Sequence, residues 1–403
     1  MSLSSSVVTT KMSRRQRLRK DRLTSLPDEI LEHILSYLPT KDSVATSFLS
    51  KRWKSQSLWR SQLNLHFEDK TFADSFAFRQ FVYSVINTRD TTLPIHSFHL
   101  NSHHDFYYDT DFYGFIYEAI TRGVQNLIIN FSHMRKTTLP PYVLTNKTLS
   151  VLKLKRITLN EISNKDDPYF DLPSLKVLHL EYVAFTYYKH IQKLLSACPI
   201  LEELKLKDII VKRFAMVLPI DIDRYVPSLS NLVRANISGG YIQLHWLQNI
   251  HHFRVELQWI NNCLPDMFHN LIHMELIFDC IYPAASFKWN WLIELLQKSP
   301  KLQTLIIDEV DKVHNYGDKE WKDPKIVPEC LSSHLTTCSL RNYRRTNCEF
   351  QFAKYIMQNS RVLRTMTIRS AKCIDTNTKL QVLKELSLCP MNSATCKLLL
   401  VDC

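Results

Sequence analysis

The stretch that decides the fold is YKHIQKLLSACPILEELKL, residues 188–206. Its first half carries apolar side chains at the spacing of one helical face, which predicts an amphipathic helix from about Tyr188 to Ala197. A turn follows at Cys198 and Pro199, because proline cannot continue a helix. The closing LEELKL has the pattern apolar-x-x-apolar-x-apolar and predicts a short strand. One helix and one strand cannot bury their own apolar faces, so further copies of the unit are required.

Copies of the strand pattern recur along the chain. Clear copies begin at Leu149, Leu175, Leu201, Leu302 and Leu383, and weaker copies begin at Ile95, Val124, Leu232, Ile250, Leu271, Leu335 and Leu363. The starts at 124, 149, 175 and 201 are 25, 26 and 26 residues apart. This period and pattern are those of leucine-rich repeats, in which each repeat adds one parallel strand to a solenoid. An unrelated α/β fold with coincidental leucines is the alternative, and the regular spacing disfavours it.

A second informative stretch is LPDEILEHILSYLPTKDSVATSFLSKRWKS, residues 26–55. Pro27 and the acidic residues after it suit the first turn of a helix, and Pro39 ends that helix. Thr40 and Ser50 are placed to cap two further short helices. Three helices over about 35 residues cannot enclose so many apolar side chains. Part of this surface must therefore be covered by the rest of the chain or by a partner.

This stretch resembles an F-box. The resemblance is carried by Leu26-Pro27, by the stripe Ile30, Leu31, Ile34 and Leu35, by Leu38-Pro39 and by Ser50-Lys51-Arg52-Trp53. It implies docking onto the Skp-type adaptor, and through it the cullin, of a ubiquitin ligase. The adaptor contacts that it implies are Leu26, Pro27, Ile30, Leu31, Leu35, Leu38, Pro39, Val44, Leu49 and Trp53. The alternative is that the stripe packs only on the following domain.

The C-terminal part resembles the FBD region of plant F-box/leucine-rich-repeat proteins. The similar segments are residues 327–340, 349–368 and 383–400. One departure is visible after Leu340, where a glycine-bearing turn is expected and the chain reads Arg341-Asn342-Tyr343. We expect this region to cover the last apolar face of the solenoid, since terminal repeats are atypical for that reason. A part in substrate binding is the alternative.

Together these patterns predict an α/β protein, and the chain resembles the plant F-box/FBD/LRR-repeat family. Its expected parts are a basic disordered tail at 1–21, a three-helix F-box at 22–65, a leucine-rich-repeat solenoid of parallel strands and helices at 90–323, and an FBD-like C-terminal cap at 324–403. The resemblance implies the substrate-recognition subunit of an Skp–cullin–F-box ubiquitin ligase, with an unknown target protein on the repeats. The alternative is a non-degradative F-box/LRR scaffold.

The charge is unevenly distributed. Formal net charge is +12, and the first 25 residues hold seven Lys and Arg against Asp21 alone. This tail reads as a nuclear localisation signal, a nucleic-acid-contacting arm or a solvated leader. We expect neither a signal peptide nor a membrane span, and hence the nucleus and/or cytoplasm. The repeats lack basic residues interleaved with aromatics, so we expect no nucleic-acid partner there.

Motifs for catalysis, cofactors and metals are absent from the sequence. Only five glycines are present, and none forms a phosphate-binding loop. GxSxG, HExxH and kinase motifs are missing as well. The adjacent pairs His103-His104 and His251-His252 would point apart on a strand, which makes each a poor chelate. The prediction is a non-catalytic receptor without cofactor or metal, with a novel enzyme as the alternative.

A candidate substrate or anion face follows from the strand pattern. Residues between the core positions of each strand face away from the core. In the middle repeats these residues are largely basic: Lys153, Lys155, His179, Lys205, Lys207, Arg234 and Arg254. Like charges on adjacent strands are unfavourable without an anion, so we expect an acidic or phosphorylated substrate segment, or a polyphosphate, on this stripe. The alternative is that these side chains simply extend into water.

Overall fold

The structure is a computed structural model. It describes residues 26–103, 109–133, 137–159, 169–212, 229–239, 244–257, 264, 266–279, 285–310, 321, 323–372 and 374–401. The predicted basic tail at 1–21 lies outside the described residues, and so does His104. No helix among the described residues is long and apolar enough to cross a bilayer.

Helices and strands alternate along most of the chain. The helices are α1 Asp28–Leu35, α2 Thr40–Ala45, α3 Lys51–Gln56, α4 Ser75–Thr88, α5 Asp109–Thr121, α6 Tyr188–Ser196, α7 Ala285–Gln297, α8 Glu329–Ser333, α9 Asn347–Asn359 and α10 Thr376–Ser387. The longer strands are β1 Asn64–Glu68, β2 Ser97–Ser102, β3 Asn126–Phe131, β4 Val151–Lys155, β6 Val177–Glu181, β8 Glu203–Lys207, β10 Arg234–Ser238, β11 His252–Leu257, β12 His273–Phe278, β13 Thr304–Glu309, β14 Thr337–Tyr343, β15 Thr365–Ser370 and β16 Lys397–Val401. Three two-residue strands complete the set: β5 Thr158–Leu159, β7 Ala184–Phe185 and β9 Ile210–Val211.

The thirteen longer strands form one sheet in chain order, and every pairing between neighbours is parallel. The short strands β5, β7 and β9 form a second, three-stranded sheet. Parallel neighbours that follow one another in sequence require a repeated crossover, which is the arrangement of a solenoid. The predicted α/β fold with leucine-rich repeats is therefore confirmed.

Apolar alternation explains why these segments form strands. In β4 the side chains of Leu152 and Leu154 are buried while Lys153 between them is half-buried, and β6 repeats this with Leu178 and Leu180. Helix α6 supplies the other side of the core with its own buried apolar face. One continuous core therefore lies between sheet and helices. We call the opposite, half-exposed face of the sheet the concave face.

The ends of the sheet differ from the sequence prediction. The sheet begins at Asn64, before the predicted start of the repeats at 90. The copy of the pattern at Leu383 is wrong as a strand, because residues 376–387 form helix α10. Asp375 caps this helix by accepting a hydrogen bond from the Thr378 N–H at 2.9 Å. The spacing of the apolar residues here fits a helix as well as a strand, and the N-terminal cap favours the helix.

The FBD-like region continues the sheet with β14, β15 and β16. Where a glycine-bearing turn was expected, Asn342 lies within β14, and its φ of 55° is in the left-handed region that asparagine tolerates. The pairing of β14 with β15 shifts register between Leu340 and Tyr343, and Tyr343 is buried. On the outer side of β16 no strand pairs within the described part of the chain, and Leu398 and Leu400 are only half-buried at core positions. The region therefore extends the core, and its described residues leave the last strand uncovered.

The N-terminal helices form a small module fixed to the first repeat. Its own core is Leu31, Leu35, Trp53 and Leu58. The Thr40 hydroxyl accepts a hydrogen bond from the His66 N–H of β1 at 2.7 Å. On the other side, buried Arg89 donates to the Gln62 carbonyl at 3.0 Å. These contacts set the orientation of the module against the solenoid.

Candidate functional site

The N-terminal module divides the predicted adaptor contacts into two groups. Leu31, Leu35 and Trp53 are 0%, 1% and 2% exposed. In this structure these three side chains form the core of the module itself, and their contact with an adaptor stays a prediction. The others remain accessible: Ile30, Leu38, Leu49, Pro27 and Pro39 are exposed, and Leu26 and Val44 are half-buried.

Local structure explains this division. Helix α1 starts directly after Pro27, and Asp28 in its first turn forms an ion pair with Arg52 on α3. Helix α3 is capped by Ser50, whose hydroxyl accepts from the Trp53 N–H. The Asp28–Arg52 ion pair links α1 to α3. Residues 31 and 35 of α1 then point inward, and residues 30 and 34 point outward.

An exposed apolar surface results. Its members are Ile30, Ile34, Tyr37, Leu38, Phe48 and Leu49. Ile34, Tyr37 and Phe48 are not among the predicted contacts, although Phe48 is 87% exposed. Single exposed apolar residues are ordinary, but six within residues 30–49 make this a candidate interaction surface. The signal in the sequence was the excess of apolar residues over what three short helices can bury.

On the concave face, strand register brings most of the predicted basic residues together. Lys153, His179, Lys205, Asn236 and Arg254 are direct neighbours across β4, β6, β8, β10 and β11. Two more cations lie one step toward the strand ends, where Lys155, Glu181 and Lys207 are in register. Arg234 lies one step the other way, in register with Glu203.

Carboxylates on this face are bracketed by cations from the strands on either side. Glu181 accepts from Lys155 at 2.8 Å and from Lys205 at 3.2 Å. Glu203 lies 2.7 Å from the His179 Nε2 and 2.8 Å from the Arg234 guanidinium. Glu181 and Glu203, which interrupt the predicted ladder of like charge, therefore neutralise part of it through ion pairs between neighbouring strands.

A third bracketed carboxylate joins the repeats to the FBD-like region. Glu275 on β12 lies 3.4 Å from Arg254 and 2.9 Å from Arg341 on β14. Asn342, displaced by the register shift, donates to Asp308 at 2.7 Å. The stretch that departs from the glycine turn therefore contributes polar groups to the concave face.

These contacts shift the pKa values of Glu181 and His179. Burial alone would raise the pKa of Glu181, but hydrogen bonds from Lys155 and Lys205 outweigh it and hold the pKa below its usual range. Burial lowers the pKa of His179, against an opposing hydrogen bond from Glu203 and with help from nearby Lys153. At neutral pH Glu181 is therefore ionised and His179 is neutral.

The other polar clusters are small. His103 donates to the buried carboxylate of Asp69, and His252 lies beside His273 with ring centroids 6.0 Å apart. In the described ranges no three His, Cys, Asp or Glu side chains are grouped as metal ligands.

Comparison with protein families agrees with this architecture. The F-box domain family model matches residues 23–62, and the FBD model matches residues 323–368. A third model, described as the LRR repeats of FBD-associated F-box protein At5g56370, matches residues 114–218.

Whole-chain relatives come from Arabidopsis thaliana. The chain is 31% identical to F-box/FBD/LRR-repeat protein At4g26340, over 94% of this chain and 99% of that protein. It is 32% identical to FBD-associated F-box protein At5g56370 and 30% identical to FBD-associated F-box protein At4g10400, each over 94% of this chain and 99% of the relative. The chain therefore belongs to the F-box/FBD/LRR-repeat protein family.

Proposed function

We propose that this protein is the substrate-recognition subunit of an Skp–cullin–F-box ubiquitin ligase. The exposed apolar surface docks the Skp-type adaptor, and the concave face binds a target protein. F-box proteins with leucine-rich repeats are generally non-catalytic adaptors, and this chain would supply position rather than bond chemistry. The observation that carries the proposal is the six-residue apolar surface, which stays exposed while the module buries a small core of its own.

The energetics favour a partner for that surface. Burying a large apolar side chain is worth about 1.5–3 kcal/mol relative to full exposure. Phe48 and Leu49 have most of their surface still to bury, so each can act as an anchor. The inward residues Leu31, Leu35 and Trp53 keep the anchors in place, which lowers the ordering cost of association.

The attachment of the N-terminal module to the first repeat fits the proposed function. A ligase must hold its target at a defined distance from the transferring subunits. The hydrogen bonds of Thr40 and Arg89 across the junction with the first repeat provide that constraint. Lys41 adds another bond, from its ammonium to the Thr71 carbonyl at 2.9 Å.

Capture of a purified Skp-type adaptor and cullin by the full chain tests the proposal. Leu49→Asp is the test variant and Phe76→Asp the matched control, because both side chains are 61% exposed and Phe76 lies outside the module on α4. We expect wild type and Phe76→Asp to capture both subunits and Leu49→Asp to lose at least about tenfold in affinity. Equal capture by Leu49→Asp, or none by wild type, would overturn the proposal.

A non-degradative scaffold makes a different prediction in the same assay. It would bind its partner through the repeats without engaging cullin. Adaptor capture without cullin, and without ubiquitylation of any bound protein in a reconstituted reaction, would replace the ligase proposal with the scaffold.

A further inference from the structure

One row of residues on the concave face has an unusual composition. The central row is defined by the residues in register with Lys153 on eight neighbouring strands: His66, His99, Ile128, Lys153, His179, Lys205, Asn236 and Arg254. It contains no carboxylate. All eight members are half-buried, so the row lies along the middle of the concave face with its side chains still accessible.

The acidic residues of these strands lie on the flanks of the central row. Glu203 is on one side of it, and Glu68, Glu181 and Glu256 are on the other. The next position along the row is Glu275 on β12, which ends the acid-free stretch. The row is therefore an acid-free track with a defined end, made of three Lys or Arg, three His, one Ile and one Asn.

The track retains positive charge after internal pairing. From β4 to β11 the concave face carries six Lys and Arg against three Glu. Lys153 and Lys207 form no ion pair with a carboxylate within the described ranges. Lys205 uses one of its three donors on Glu181, and Arg254 shares Glu275 with Arg341. Donors thus remain for an anionic partner.

We propose that the central row binds an extended, carboxylate-rich segment of the target protein, running across the strands. The proposal rests on the function proposed above and names the chemical class of the target segment. Adjacent strands are about 4.8 Å apart, so the five strands from β4 to β11 span about 19 Å, the length of roughly six extended residues.

Carboxylates fit this track better than phosphates. A phosphate dianion is bound best by several donors converging on one point, often bidentate arginines. In the central row Lys153, Lys205 and Arg254 lie on three different strands, separated by His179 and Asn236. Glu181 and Glu203 beside the row would repel a dianion. Single charges spread along an extended chain match the spacing and suffer less of that repulsion.

The histidines give the track a pH dependence. Burial, with nearby His66 and Lys153, lowers the pKa of His99. His179 is similarly lowered and faces Glu203, Lys153 and Lys205. Both imidazoles are neutral at pH 7, and an anion placed beside them would raise their pKa. Affinity for the anion should therefore increase as pH falls and these imidazoles take up protons.

Binding of a fluorescein-labelled hexaglutamate peptide to the full chain tests the proposal, with hexaglutamine as the neutral control. Lys153→Ala and Arg254→Ala remove central-row cations. Lys176→Ala is the matched control, since this exposed lysine of the same repeats pairs with Glu202 outside the row. We expect each row variant to weaken hexaglutamate binding about fivefold, and Lys176→Ala to leave it unchanged.

The outcomes separate this inference from the proposed function. Equal binding of hexaglutamate and hexaglutamine, or equal weakening by Lys176→Ala and Lys153→Ala, would overturn the acidic-segment proposal. Tight binding of a singly phosphorylated serine peptide or of polyphosphate, with hexaglutamate inert, would also overturn it. Adaptor capture, measured on the same variants, should be unchanged. If wild type captures no adaptor, the ligase function is contradicted, but the hexaglutamate result can still be interpreted because that assay needs no adaptor.

Discussion

The guanidinium of Arg156 lies over the ring of Tyr182, 4.8 Å from the ring centroid. The two residues occupy the same position in successive repeats, directly after β4 and β6, with φ values of 56° and 53°. Asp208 follows at the same position after β8, and its hydrogen bond with Tyr182 raises the pKa of the tyrosine. The side chains directly after β4, β6 and β8 thus contact one another from repeat to repeat, and we call this row of contacts the side-chain ladder.

This ladder predicts an energetic coupling between neighbouring repeats. In a double-mutant cycle, Arg156→Ala and Tyr182→Ala should be coupled by about 0.5–1 kcal/mol in the free energy of unfolding, measured by urea denaturation. Tyr182→Phe serves as control, because it keeps the ring and removes only the hydroxyl. Additive effects of the two alanine variants would show that the cation–π contact contributes nothing.

The two faces of α1 and its neighbours predict opposite responses to truncation. Leu31→Ala removes a fully buried side chain and should lower the free energy of unfolding of the module by about 2–5 kcal/mol. Leu49→Ala should change stability by less than about 0.5 kcal/mol and still weaken adaptor capture. Hydrogen exchange of α1 and α3 amides reports the first effect, and titration with adaptor reports the second. Comparable destabilisation by both variants would contradict the assignment of faces.

Most of the solenoid could be predicted from sequence because burial in it is periodic. Copies of the pattern from Ile95 to Leu363 all coincide with strands, since each repeat buries the same positions. The sequence did not predict β1 and β16 as strands. Apolar and polar residues alternate around Leu65, and apolar residues recur around Leu398, but neither segment was recognised as a copy of the six-residue pattern. The pattern at Leu383 fits a helix as well as a strand, and only capping by Asp375 decides between them.

The sequence placed the candidate site residues on two surfaces but could not show how the side chains pair within them. Ile30 and Leu31 are adjacent apolar residues, and only the crossing of α1 and α3 determines which one is buried. Lys155 and Glu181 are 26 residues apart, so their ion pair depends on strand register. Sequence spacing placed both on one face and could not show that neighbouring carboxylates neutralise part of it.

The left-handed conformation of Asn342 predicts an unusual order of substitutions. Asn342→Gly keeps the backbone unstrained and loses only the hydrogen bond to Asp308. Asn342→Ala loses the same bond and must hold an alanine at φ 55°, so it should be less stable than the glycine variant by about 1 kcal/mol. Thermal unfolding of the two variants measures the difference. An alanine variant as stable as the glycine variant would argue against this turn geometry.

Glu349 predicts how the stability of the FBD-like region depends on pH. This carboxylate is buried at the start of α9, where it accepts the Thr346 N–H at 2.8 Å and completes a capping box. Burial, with the charge of Glu309 nearby, raises its pKa to about 7, against opposing contributions from Thr346 and Lys288. The native state thus binds the proton more tightly than the unfolded chain does.

Stability contributed by the protonated form of Glu349 is complete below the ordinary carboxyl range and is lost as pH rises toward 7. Relative to Glu349→Gln, which keeps the shape and one acceptor oxygen, wild type should lose roughly 3 kcal/mol at most between pH 4 and pH 8. Urea denaturation of both proteins across this range measures the difference. A difference that stays constant with pH would mean that Glu349 titrates at its ordinary pKa. Ser360→Ala, at the other end of α9, controls for general pH effects on the helix and should follow wild type.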